Sequence, residues 1–137
     1  MELTKKDKAY YKAAKEASEL SDFNRIHIGT VVVHNHQIIS SGCNQTKSHP
    51  IQKILNKERY QEDKGHMLHS EVSALLPLLN NKDINWKKVE LYIYREYQDA
   101  RLAPCRPCAS CQKLIRELGI RQIHYTMKDS FVSETFV

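Results

Sequence analysis

The chain has 137 residues, 41% hydrophobic and 27% charged, which is enough apolar material for one compact domain over residues 1–137 and excludes both a disordered chain and two large domains. Lysine and arginine number 21 against 16 acidic residues, and the net charge of +5 suits an anionic partner without choosing between a nucleotide, a polynucleotide and plain solubility. Three of the four cysteines crowd into Cys105, Cys108 and Cys111, a pattern of metal chemistry in a reducing compartment rather than of a disulfide framework. Neither a run of about 18 apolar residues nor an apolar segment behind the charged N-terminus occurs, so a cytoplasmic protein with no membrane partner is expected.

Thr4 with Asp7 three residues later has the form of a capping box, and Ala9, Ala13, Ala14, Ala17 and Leu20 follow at helical spacing. The lysines of this helix read as a solvated face. Ile26 to His34 is β-branched, Asn35-His36 suits a tight turn, and Gln37 to Ser41 completes an antiparallel hairpin. Cys43 to His66 is polar and reads as a long loop holding one short helix around Ile51, Ile54 and Leu55. A helix follows from His69, with Pro77 ending its regular part. Glu90 to Arg95 reads as a strand, Cys108 to Leu118 as a helix closed by Gly119, and Arg121 to Met127 as a second strand parallel to the first. Phe131 to Val137 leaves room for one short final strand.

The chemistry concentrates at the helix starts. A catalytic zinc takes three His or Cys ligands and keeps a fourth position for water, and the candidates are His69, Cys105 and Cys108, which the pattern puts at helix N-termini where thiolates are favoured. Cys105 and Cys108 stand i, i+3, on one helical turn. Glu71, two residues after His69, is placed by the tilt of first-turn side chains to act as a proton acceptor beside the metal.

His69-Ser70-Glu71 followed by Pro104-Cys105-Arg106-Pro107-Cys108 resembles the H-x-E…P-C-x-x-C signature of zinc-dependent nucleobase deaminases. The run from Cys108 to Ile120 resembles the deoxycytidylate deaminase branch in particular. The resemblance implies a cytidine deaminase-like fold and hydrolytic deamination, in which zinc-activated hydroxide attacks C4 of a cytosine ring and Glu71 carries the protons. It implies Zn2+ as cofactor, a nucleotide as the small-molecule partner with dCMP preferred, and a homo-oligomer. It also gives Asn44 the place of a substrate-binding Asn, and Ser70 the place of a small residue, usually Ala, against the base.

Lys47, Arg101 and Arg106 belong to loops flanking the expected pocket and are candidates for a nucleotide phosphate; Tyr97 and Tyr125 are candidates for stacking on base or ribose. Cys111 extends the series to C-x2-C-x2-C, but without a fourth cysteine at suitable spacing an iron–sulfur site is disfavoured, and Cys111 is read as a small buried helix residue. His66 is raised as a second-site ligand with Cys43 or His49, against an ordinary loop histidine. The architecture expected is an α/β three-layer α-β-α sandwich on one mixed sheet, antiparallel in its first hairpin and parallel in its later strands, ordered 2-1-3-4 with a short fifth strand. Two other functions fit the residues: a deaminase acting on a base within RNA or single-stranded DNA, and a non-catalytic, zinc-stabilised nucleic-acid-binding domain.

Overall fold

A computed structural model describes residues 3–47, 49–60 and 67–136, the side chains of 56–60 excepted. Helix α1 (Lys5–Ser18) opens on the expected capping box: Thr4 Oγ1 accepts from the Asp7 N–H at 3.0 Å, and Asp7 Oδ2 accepts from the Thr4 N–H at 3.1 Å. Its buried face is Tyr10, Tyr11, Ala14 and Ala17, with Leu20 left 79% exposed beyond the helix end.

Strands β1 (Ile28–His34) and β2 (Gln37–Cys43) form the hairpin. Asn35 and His36 both adopt positive φ, 51° and 66°, as a two-residue turn with the twist of its flanking strands requires. Strand β3 (Val89–Arg95) pairs antiparallel with β1 and parallel with β4 (Gln122–Met127), and β5 (Ser130–Thr135) returns antiparallel on the far side of β4. The sheet order is therefore β2-β1-β3-β4-β5. The expected order holds, with the final strand as its outer edge.

Alternation along the central strands divides the core between two faces. Val31, Val33, Tyr92 and Tyr94 meet Tyr10, Tyr11 and Ala14 of α1. Val32, Leu91, Ile93 and Ile123 face the opposite layer, built from α3 (Ser70–Leu75) and α4 (Ala109–Leu118), with α2 (Pro50–Tyr60) against α4. Each such fully buried aliphatic side chain contributes about 1.5–3 kcal/mol. Two glycines set how closely the layers approach. A Cβ on Gly29 would clash with the Ala14 carbonyl oxygen of α1, and one on Gly42 with the Ala74 nitrogen of α3.

Helix α3 gives way at Leu76 to a 3₁₀ turn carrying Pro77, as its missing N–H dictates. Helix α4 ends in a Schellman motif: Gly119 takes φ 95°, its N–H donates to the Arg116 carbonyl, and the Ile120 N–H reaches back to that of Ile115. Among the described residues no helix is long and apolar enough to cross a membrane. His66 lies outside the described residues. Its suggested partner His49 uses Nδ1 to accept the Ile51 N–H.

Candidate metal centre and cleft

The sequence builds the site by starting two helices at one place on the same side of the sheet. His69 and Cys108 are the N-cap residues of α3 and α4, both with extended backbone (φ/ψ −77°/153° and −69°/170°) and neither using its side chain on the helix. Both side chains thus remain available at helix N-termini, where the dipole favours anionic sulfur. An isolated antiparallel bridge from Gln45 to Leu68 fixes the chain entering α3, and the Gln52 Oε1 of α2 accepts the His69 N–H at 3.2 Å.

The donor atoms brought together are His69 Nδ1, Cys108 Sγ and Cys111 Sγ, all within 4.8 Å of one another. His69 Nδ1 stands 3.3 Å from Cys111 Sγ and 3.5 Å from Cys108 Sγ. Nitrogen at about 2.0–2.1 Å and sulfur at about 2.3 Å from a tetrahedral zinc are separated by about 3.6 Å, so this donor set fits zinc. Among the described residues three donors converge, the number that a catalytic zinc takes from its protein.

This differs from the expected set in one residue: Cys111 stands where Cys105 was expected. Pro104 and Pro107 disfavour helical backbone in the residues before them, so the helix starts only at Ala109. Cys105 instead continues an extended segment against the sheet, its N–H donating to the Thr126 carbonyl at 2.9 Å. Its sulfur lies 3.1 Å from Thr126 Oγ1 and 3.4 Å from the Ile93 carbonyl. Burial pushes that thiol up to about 12, the hydrogen bonds to Thr126 only partly offsetting it. Cys111, read from sequence as a packing residue, is fully buried but at the centre of the cluster.

The cluster is electrostatically coupled. A hydrogen bond from Cys111 is the main influence holding the Cys108 thiol far below its ordinary value, against burial and with help from His69. Cys111 is raised by that same bond, by burial and by Glu71. For His69, burial pulls the imidazole down, but the Cys108 sulfur and the Glu71 carboxylate outweigh it and the net direction is up. Glu71 is itself 6% exposed.

Above the cluster opens a cleft of about 310 Å³ whose floor includes His69, Ser70, Glu71, Cys105 and Cys108 and whose walls include Phe23, Ile26, Ile28 and Leu68. Asn44 lines it too. Its Oδ1 accepts the Ile28 N–H at 2.9 Å and its Nδ2 donates to the Ile26 carbonyl at 2.8 Å, which holds one wall in place and leaves one amide hydrogen and one lone pair for a ligand. Ser70 turns its hydroxyl onto Glu71 Oε1 at 2.7 Å.

Arg106 is the one lysine or arginine among the described residues to line the cleft, held by a bidentate pair with Glu134 at 2.9 and 2.8 Å, while the Tyr125 hydroxyl donates to the same carboxylate at 2.8 Å. Glu134 escaped the sequence reading because β5 was only a short terminal run. Lys47 is exposed and does not line the cleft. Arg101 pairs with Asp99 at 2.7 Å, and Tyr97 lies beneath the guanidinium groups of Arg95 and Arg101.

A family model described as the cytidine and deoxycytidylate deaminase zinc-binding region matches residues 4–127. Among solved structures, the dCMP deaminase of cyanophage S-TIM5 in apo form is similar over 90% of this chain and 84% of its own, at 23% identity and a TM-score of 0.63. The same phage enzyme in complex with dCMP and dUMP gives 21% identity and a TM-score of 0.62 over 90% and 83%. The cytidine deaminase of Burkholderia pseudomallei gives 20% identity and 0.64 over 97% and 93%. These likenesses are of fold. No curated protein matches the chain by sequence.

Proposed function

The chain belongs to the cytidine and deoxycytidylate deaminase zinc-binding family, and on that premise we propose that it hydrolytically deaminates a cytosine nucleotide, dCMP to dUMP, in the cytoplasm. The observation that carries the reading is the buried Glu71 carboxylate beside a three-donor cluster at the floor of an apolar-walled cleft.

In this proposal His69, Cys108 and Cys111 hold the zinc. A zinc held there would supply Lewis acidity to the reaction. The side chains do the rest. Phe23, Ile26, Ile28 and Leu68 enclose a planar base and exclude bulk water. Asn44 offers its remaining donor and acceptor to the base or sugar. Glu71 takes a proton from the attacking water and delivers protons to the ring nitrogen and the departing amino group. Water and dCMP thus become dUMP and ammonia. Arg106 pairs with the phosphate; Lys47, which lies off the cleft, has no part in the proposal. The same reading includes a homo-oligomer, for which Ile38 and Ile39, exposed on the edge strand β2, offer surface; sedimentation of the purified protein checks it.

The deciding experiment is ammonia release from dCMP by the zinc-loaded protein, with and without chelator, beside Glu71→Gln. Release should be chelator-sensitive, and the variant should keep its zinc while turning over about a hundred- to ten-thousand-fold more slowly. A folded, zinc-containing wild type that releases nothing from dCMP, or an active Glu71→Gln, overturns the reading.

A further inference from the structure

Behind the Glu71 carboxylate lies a chain of hydroxyl groups. Ser70 Oγ donates to Glu71 Oε1 at 2.7 Å, and Thr30 Oγ1 stands 2.8 Å from Ser70 Oγ. Thr30 is fully buried and Ser70 is 1% exposed. Each hydroxyl carries one proton. Since the Ser70 proton goes to Glu71, the bond between the two hydroxyls carries the Thr30 proton. The direction is therefore fixed as Thr30 to Ser70 to Glu71.

We infer that Thr30 and Ser70 are positioning residues that hold the Glu71 carboxylate through Oε1 in the orientation its proton transfers require, leaving Oε2 to face the reacting atoms. The role in turnover rests on the deaminase reading above; the hydrogen-bonded restraint does not. Thr30 sits in β1 next to Val31 and Val32, where valine would satisfy the strand and its packing equally well. A buried hydroxyl is costly unless bonded, and here the bonding leads to Glu71. The two residues come from β1 and the first turn of α3, so the carboxylate is braced against the central sheet and not only against its own short helix.

The test uses Ser70→Ala, Thr30→Val, Thr30→Ser and the double variant Ser70→Ala/Thr30→Val, all zinc-loaded. Zinc content is measured first, then kcat and KM on dCMP, and separately the ¹³Cδ resonance of Glu71, assigned through Glu71→Gln. Ser70→Ala should lower kcat about tenfold, the worth of one hydrogen bond to a charged group, with KM and zinc content near wild type. Thr30→Val should lower kcat about threefold and Thr30→Ser not at all. The double variant should be no slower than Ser70→Ala, because Thr30 acts only through Ser70. A wild-type kcat in Ser70→Ala, equal losses in both Thr30 variants, or additive losses in the double variant overturn the inference. The Glu71 resonance should shift in Ser70→Ala and Thr30→Val but stay put in Thr30→Ser. If dCMP is not turned over, the deaminase reading fails, and the resonance still decides the relay: unmoved in Ser70→Ala, it overturns it.

Discussion

Cys111 Sγ lies 3.3 Å from His69 Nδ1 across 42 positions of sequence, and that approach exists because α3 and α4 begin side by side on one face of the sheet. It separates two cysteines that sequence spacing treats alike. Cys111→Ala should lower zinc stoichiometry to a small fraction of wild type. Cys105→Ala should retain full zinc and lose about 1 kcal/mol of stability for a vacated buried thiol. Metal analysis and a denaturation curve on both variants check this, and loss of zinc from Cys105→Ala with retention in Cys111→Ala would reverse the assignment.

The sequence contains two overlapping frames of the same motif, Pro104-Cys105-Arg106-Pro107-Cys108 and Pro107-Cys108-Ala109-Ser110-Cys111. Residue types cannot choose between them; the start of the helix does. A reading that required Pro107 to precede the N-cap would have put Cys108 at the cap and Cys111 in the first turn. The hairpin turn and the Thr4 cap were legible because each rests on local backbone chemistry, and the parallel pairing of β3 with β4 because a helical crossover separates them. On α1 the alanine spacing found Ala14 and Ala17 of the buried face but ran on to the exposed Leu20 and missed Tyr10 and Tyr11, which pack edge and tilt against Tyr92 and Tyr94. Aromatic pairs across layers are tertiary facts with no periodic signal. The pairing of Arg106 with Glu134 joins residues 28 positions apart and was likewise beyond reach.

Arg106 should separate nucleotide from nucleoside. Lining the cleft, it can exchange the Glu134 carboxylate for a substrate phosphate, and a charge-assisted hydrogen bond is worth about 1.5–3 kcal/mol. Arg106→Gln should therefore raise KM for dCMP about tenfold or more while leaving kcat/KM for deoxycytidine within about twofold. Equal losses on both substrates would remove Arg106 from phosphate recognition.

The two close approaches should respond differently to a single added methyl group. Gly29→Ala would press on the backbone of α1, at Ala14 and Ser18, a layer without site residues. Its effect should be on stability, about 1–3 kcal/mol in a denaturant titration, with zinc content unchanged in the folded fraction. Gly42→Ala would press on Ser73 and Ala74 of α3, the helix that His69 caps and Glu71 occupies. Zinc affinity or kcat should fall with it. A Gly42→Ala protein destabilised to the same degree as Gly29→Ala but with wild-type zinc binding and turnover would show that the position of α3 tolerates the shift.

Acid should reveal the pair between Arg106 and Glu134. The Arg106 guanidinium beside Glu134 is the main cause holding its carboxyl below the ordinary 4.5, with burial opposing and the Tyr125 hydroxyl assisting. A carboxyl depressed in the folded state adds stability that is fully present above its unfolded value and is lost as pH falls through the folded one. The two side chains are 48% and 24% exposed, so solvent screening limits the effect to about 1 kcal/mol or less. Wild type should exceed Glu134→Gln by that amount near neutral pH, and the gap should shrink only as pH falls below 4.5. Added salt should narrow it at neutral pH, since the pair is partly open to water. Paired urea titrations across the acid range measure the gap directly. A difference that stayed constant through the acid limb would mean the two variants differ by packing around Tyr125 rather than by the charge on Glu134.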